Sequence, residues 1–206
     1  MVIFNFILQD IIRNLSGPLG IVLRRRYYKN KFNTCGKNLV ISEGVFIDNP
    51  KNISLGNNVW IDKDVVIISG ELTRSNTEFK GNNDFKGKLI IGDNAHIGIR
   101  TVLQAHGGIK IGNYFTSGCD TKIYSLSNHV SKSKKGTHSI DQSDLYYTQS
   151  SIIIENNVWC GINSIILNGP IGNDVFIQAN SVVTSQVPQN SIVSGNPARI
   201  IKTRFK

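Results

Sequence analysis

From Cys35 onward, aliphatic side chains return every sixth residue in runs of three: Cys35/Ile41/Ile47, Leu55/Ile61/Ile67, Ile91/Ile97/Leu103, Ile111/Ser117/Ile123, Ile154/Cys160/Ile166 and Ile171/Ile177/Val183. Fifteen of these 18 positions are Leu, Ile or Val, where the chain's overall content of those residues would supply about five. A helix repeats at 3.6 residues and a flat strand at 2, so neither accounts for the period. Six residues suit one short strand plus one corner. Three such units close a triangular coil of about 18 residues, with the aliphatic residue pointing inward and stacking on its equivalent one coil up. A glycine follows the first position in five of the six runs, at Gly36, Gly56, Gly92, Gly112 and Gly172, with Glu155 the exception. Small or β-branched residues sit two before many repeat positions, as at Val45, Val59, Ala95, Thr121 and Ser164, where they help fill the corners.

A solenoid of this kind leaves its two ends unpaired and needs caps. The chain divides accordingly into a basic, amphipathic N-terminal helical segment (1–34), a repeat domain (35–187) and a C-terminal cap (188–206). In the first segment, Ile3, Phe4, Ile7, Leu8, Ile11, Ile12 and Leu15 fall on one helix face, and Ser16-Gly17-Pro18 breaks the helix. Seven of the basic residues, including Arg24-Arg25-Arg26, lie before position 41 against one acidic residue, Asp10. Two readings of residues 1–32 stand side by side. One is a contact with an anionic membrane surface; the other is packing on the domain or an oligomer partner. Nucleic acid is not expected, because no helix-turn-helix, zinc-finger or stacking-aromatic pattern accompanies the charge. The apolar opening is too short to span a bilayer and lacks the flanks of a signal peptide. Three cysteines without CxxC spacing point to a reducing compartment, and no metal cluster or P-loop is evident.

Two polar stretches, 69–88 and 125–150, interrupt the coils. Long loops on so regular a scaffold are where function is expected. His129 opens the second of them just past Tyr124, and His138 lies further along it. His96 sits between Ala95 and inward Ile97 and therefore faces outward, while His106 lies in a short turn between coils. Cys160 occupies an inward position and reads as core rather than as a nucleophile.

The stretch N-N-V-W-C-G-I-N-S-I-I-L-N-G-P-I-G-N-D-V-F-I-Q-A-N-S-V-V-T, followed by G-N-P-A-R-I-I-K, spans residues 156–202. It resembles the hexapeptide-repeat acyltransferases, and within them the maltose and galactoside O-acetyltransferase branch with its capsule and lipopolysaccharide relatives. The resemblance implies an all-β solenoid, a left-handed parallel β-helix of about six triangular coils with a short N-terminal helical segment and two loop insertions. It implies a homotrimer with sites between subunits, acetyl-CoA as co-substrate, no metal, and a sugar or surface glycan as acceptor. It assigns His129 as general base and the backbone N–H of Ile162 as oxyanion donor. Trp159, Gly161, Ala179, Thr184, Arg199 and Lys202 fall to the cofactor, and Gln104 and His106 to the acceptor. Gln104 stands where many relatives carry Asn. Asp141 and Asp144 are the candidates for orienting His129. The expected location is the cytoplasm, at the inner membrane surface if residues 1–32 bind lipid. N-acetylation of an amino sugar or a xenobiotic, and a non-catalytic assembly role, are the alternatives on the same scaffold.

Overall fold

The computed structural model describes residues 2–72, 76–133 and 145–206, with side chains from Ile7 onward. The hexads form short parallel strands that stack into three sheets. One face carries Thr34–Cys35, Ile53–Leu55, Leu89–Ile91, Ile109–Ile111 and Ile152–Ile154. A second runs from Val40–Ile41 through Trp60–Ile61, His96–Ile97, Thr116–Ser117, Trp159–Cys160 and Phe176–Ile177 to Ser191–Gly195. The third holds Phe46–Asp48, Val66–Ile68, Val102–Gln104, Lys122–Tyr124, Ile165–Ile166 and Val182–Val183.

Register follows the repeat: Ile41, Ile61, Ile97, Ser117, Cys160 and Ile177 are successive partners up the second face. Every repeat position except Cys35, at the open N-terminal edge, is buried. The two polar-edged members of this column are accommodated differently. The Ser117 hydroxyl accepts from the Gly98 amide at 2.9 Å and lies 3.0 Å from the Thr101 hydroxyl, so the oxygen is satisfied inside the core. Cys160 packs as a small apolar residue, and burial pushes its thiol up to about 12.

The corners explain the asparagine-rich composition. Eleven of the thirteen non-glycine residues with positive φ among the described residues are Asn or Asp, the types that tolerate the left-handed region. Their side chains also bond coil to coil: Asn38 donates to Asn58 at 2.9 Å, Asn58 to Asn94 at 2.8 Å and Asn163 to Asn180 at 2.8 Å. These bonds measure the coil. Equivalent corners lie 20 residues apart at Asn38/Asn58, 36 at Asn58/Asn94, 43 at Asn113/Asn156 and 17 at Asn156/Asn173. The expected coil of about 18 is thus 20 in the N-terminal part, because a corner takes two extra residues without disturbing the hexads, and 17 near the C-terminus. The offsets of 36 and 43 contain the insertions.

The insertions are not simple loops. Thr77–Lys80 from the first pairs in parallel with Tyr147–Ser150 from the second, which pairs antiparallel with Leu126–Asn128. The two therefore share a small sheet in which Tyr147 and Gln149 are buried, as are Leu145 and Phe85 in the insertions that carry it.

At the N-terminal end lie α1 (Val2–Asn14) and α2 (Gly17–Lys29). Pro18 stands in the first turn of α2, where its missing N–H costs nothing. Tyr28 and Phe32 close the base of the core. The single apolar face expected for α1 divides: Ile12 is buried, but Ile7 and Ile11 are exposed, since α2 covers only part of that helix. The first arginine of the basic run is also not a surface charge. Arg24 is fully buried, and desolvation lowers its pKa. At the other end the strand Ala198–Thr203 folds back antiparallel on Ser191–Gly195 and covers the sheet edge. Among the described residues no helix is long and apolar enough to cross a membrane.

Candidate functional site

His129 follows directly on the strand Leu126–Asn128. Its amide donates to the Tyr146 carbonyl at 2.7 Å, and its carbonyl accepts the amides of Lys132 and Ser133 at 3.1 and 3.0 Å. A tight turn thus fixes its backbone at the end of the insertion sheet. The ring Nδ1 lies 3.1 Å from the Ser131 hydroxyl. The side chain borders a cavity of about 300 Å³. Asn76, Thr77 and Glu78 of the first insertion form one wall; His129, Lys132, Tyr146 and Tyr147 of the second form the other. Lys132 bridges the walls through a 3.1 Å ion pair to Glu78, which also meets Lys80 at 3.3 Å. Sequence reasoning missed this first-insertion wall. Its signal was the short alternation Thr77-Glu78-Phe79-Lys80 within an otherwise irregular stretch. His138, Asp141 and Asp144 lie outside the described residues.

Trp159, Gly161 and Ile162 lie elsewhere, on the second face and its corner. Trp159 is 51% exposed and meets Phe176 at 5.6 Å between ring centroids; Ile162 is 57% exposed. The amide of Ile162 donates to no group among the described residues, and its nitrogen stacks on Gly118 of the preceding coil, where a Cβ would come within 2.6 Å of it. Gly161 is required by a close approach: a Cβ there would come within 2.5 Å of the backbone nitrogen of Ala179 in the next coil. Gly161 thus lets the two coils stack, and Ala179 in the next coil is exposed. Thr184 is exposed, and its carbonyl accepts the Asn168 amide at 3.3 Å. Arg199 borders a second cavity, of about 460 Å³, with Ser185 and Gln186. Lys202 is exposed on the same terminal strand, opposite Ile192.

Within one chain, none of these residues lines the His129 cavity. Nor do Gln104 and His106. Gln104 pairs with Tyr124 at the root of the second insertion, and its buried side-chain oxygen has no partner among the described residues. The His106 Nδ1 lies 2.8 Å from the Gly70 carbonyl and ties the root of the first insertion. His96 faces outward as expected and forms a 2.8 Å pair with Asp62, a partner that no periodic signal marks. Among the described residues, no group of three His, Cys, Asp or Glu side chains is placed to hold a metal.

No protein-family model matches the chain. The fold is shared with a hexapeptide-repeat acetyltransferase from Vibrio cholerae solved with acetyl coenzyme A, at 22% identity and a TM-score of 0.59 over 97% of this chain and 84% of that one. Over 141 residues the chain is 30% identical to the putative lipopolysaccharide biosynthesis O-acetyl transferase WbbJ of Escherichia coli K12, covering 56% of this chain and 72% of the relative. The chain is a hexapeptide-repeat acyltransferase. It has the left-handed parallel β-helix of that family. A further relative transfers to nitrogen: AntD, an N-acyltransferase from Bacillus cereus solved with dTDP-4-amino-4,6-dideoxyglucose and coenzyme A. It is 28% identical, with a TM-score of 0.74 over 89% of this chain and 90% of that one. The likenesses thus bracket hydroxyl and amine acceptors on one scaffold. In this hexapeptide-repeat acyltransferase, His129 and the Gly161/Ile162 corner share no cavity within one chain.

Proposed function

We propose that this chain is an acetyl-CoA-dependent O-acetyltransferase acting on a sugar hydroxyl of a surface glycan such as capsule, O-antigen or exopolysaccharide. The observation that carries this reading is the placement of His129: the one imidazole among the described residues on the wall of a polar, tyrosine-bearing cavity, held there by a tight turn. With Nδ1 beside Ser131, Nε2 is the nitrogen left to take the proton of the acceptor hydroxyl. The oxygen attacks the thioester carbonyl as that proton leaves. The resulting oxyanion is met by the Ile162 N–H, and collapse expels the CoA thiolate, which the imidazolium reprotonates. No acyl-enzyme is needed, and buried Cys160, its thiol held protonated, takes no part.

The His129 cavity holds neither Trp159 nor Ile162 of its own chain, which supports a homotrimer in which His129 of one subunit works with Trp159 and Ile162 of its neighbour. Gly161, Ala179 and Thr184 then carry the pantetheine arm, and Arg199 and Lys202 the CoA phosphates. Residues 1–34 form the helical segment, 35–187 the acyltransferase domain and 188–206 its cap. The enzyme works in the cytoplasm at the membrane surface: exposed Ile7, Ile11, Leu19 and Val22 stand with exposed Arg25, Arg26 and Lys29 on the helical pair. Co-sedimentation with phosphatidylglycerol vesicles is expected for the full chain and should be lost in an Arg25→Glu/Arg26→Glu variant; equal pelleting of both would remove the membrane contact.

An amine acceptor is the second reading, favoured by the likeness to AntD over most of both chains. Release of free CoA from acetyl-CoA, measured against p-nitrophenyl glycosides, oligosaccharides and amino sugars including dTDP-4-amino-4,6-dideoxyglucose, separates the two. Turnover with amines alone overturns O-acetylation. Absence of turnover together with no CoA-dependent rise in Tm favours a non-catalytic assembly role.

A further inference from the structure

We propose that Glu78 selects the acceptor, its carboxylate accepting hydrogen bonds from two neighbouring hydroxyls of a single sugar ring held in the cavity beside His129. The proposal rests on the reading of His129 as the base. It adds the part of the chain that recognises the acceptor and the chemistry it recognises.

Glu78 reaches the site because the two insertions share a sheet. Strand Thr77–Lys80 aligns with Tyr147–Ser150 in the register Tyr147↔Thr77 and Thr148↔Glu78. The same second insertion fixes the His129 turn through the Tyr146 carbonyl. Glu78 and His129 are therefore positioned from one shared sheet rather than from two independent loops. Among the described residues, Glu78 is the one carboxylate that lines this cavity.

Its electrostatic setting narrows the ligand. Lys132 lies 3.1 Å from Oε2 and Lys80 lies 3.3 Å from Oε1, and these two lysines hold the carboxyl below its usual range. The group is thus ionised and already compensated, so it does not call for a cationic ligand. A carboxylate offers about four lone-pair sites. One lysine on each oxygen leaves acceptor capacity on both, a pair of adjacent acceptors that matches the two donors of a vicinal diol. Tyr146 lines the opposite wall, an aromatic side chain of the kind that packs on the apolar side of a pyranose. A volume of about 300 Å³ is at the small end of ligand sites, which suits one sugar ring rather than an extended oligosaccharide.

The test compares wild type, Glu78→Gln and Glu78→Asp, with His129→Ala as reference, on p-nitrophenyl galactoside, glucoside, mannoside and N-acetylglucosaminide and their mono-deoxy analogues. Wild type is expected to disfavour at least one deoxy analogue by about tenfold or more in kcat/KM. Glu78→Gln is expected to raise the KM of the parent glycoside about tenfold, leave the KM of acetyl-CoA within about twofold, and abolish the discrimination against the deoxy analogue. Glu78→Asp should retain part of that discrimination. An unchanged acceptor KM and unchanged discrimination in Glu78→Gln would overturn the proposal. So would a fall in Tm with both KM values raised alike, the behaviour of a bridge that only braces the sheet. Failure of wild type to use any single-ring acceptor while acetylating oligosaccharides overturns the one-ring assignment. Full activity of His129→Ala removes the base assignment and this proposal together, whereas loss in His129→Ala with an indifferent Glu78→Gln removes this proposal alone.

Discussion

Replacing His129 by alanine is expected to lower kcat for acetyl transfer about a hundred- to ten-thousand-fold, the range that a positioned general base supplies, while acetyl-CoA still raises the Tm of the variant. A sugar hydroxyl is a weak nucleophile at neutral pH, so some group must take its proton as the thioester carbonyl is attacked. Among the described residues His129 is the histidine that borders the cavity between the insertions. His96 is engaged by Asp62 and His106 by the Gly70 carbonyl. The donor surface proposed at Gly161 and Ala179 is made of other residues, none of which lines the His129 cavity. Loss of turnover with retained CoA binding would therefore separate proton transfer from donor binding. If His129→Ala keeps wild-type kcat with a hydroxyl acceptor, the proposed mechanism is wrong. If it loses the CoA-dependent rise in Tm as well, His129 serves the donor and not the acceptor.

The β-helix was legible because its signal is carried by the residues that make the core. One inward aliphatic position in six is a pattern that no helix or flat strand produces, and the buried column Ile41, Ile61, Ile97 realises it directly. Coil length was not legible. The two residues added at a corner fall between one run of hexads and the next, as between Ile47 and Leu55, where left-handed Asn49 and the turn Pro50–Asn52 take them up without shifting the aliphatic column. The insertions could be read as interruptions, but their shared sheet could not. Glu78 and Thr148 pair only because solenoid stacking brings two distant stretches to the same flank, and local propensity carries no trace of that. The basic run misled in a similar way. Arg24, Arg25 and Arg26 are equivalent as charges in sequence, yet helical spacing turns the first inward and leaves the next two in solvent.

Arg24→Ala should be the most destabilising single change at the N-terminal end, costing about 3 kcal/mol or more. The guanidinium is buried, with Nε donating to the Ile41 carbonyl at 2.7 Å and Nη1 to the carbonyls of Ile12 at 2.9 Å and Leu15 at 2.6 Å. Ile12 lies in the last turn of α1 and Leu15 just beyond it, where backbone carbonyls have no partner within the helix; Ile41 belongs to the first coil. One side chain of α2 thus satisfies the end of α1 and the open end of the solenoid together. Alanine removes the donors but leaves their acceptors, so the loss exceeds that of exchanging a surface charge. Methionine restores volume without donors and should be nearly as costly, which distinguishes hydrogen bonding from packing. Lysine, with one nitrogen in place of a planar fork, should fall between. Because a solenoid transmits stability through neighbouring units, the damage should be local first. Hydrogen exchange should accelerate in α2 and around Ile41 to Ile47 before it changes at Ile166 or Ile177. An unfolding free energy from urea melts of Arg24→Ala within about 0.5 kcal/mol of wild type, the range of an ordinary surface substitution, would mean that the buried guanidinium fills space and does not hold the cap.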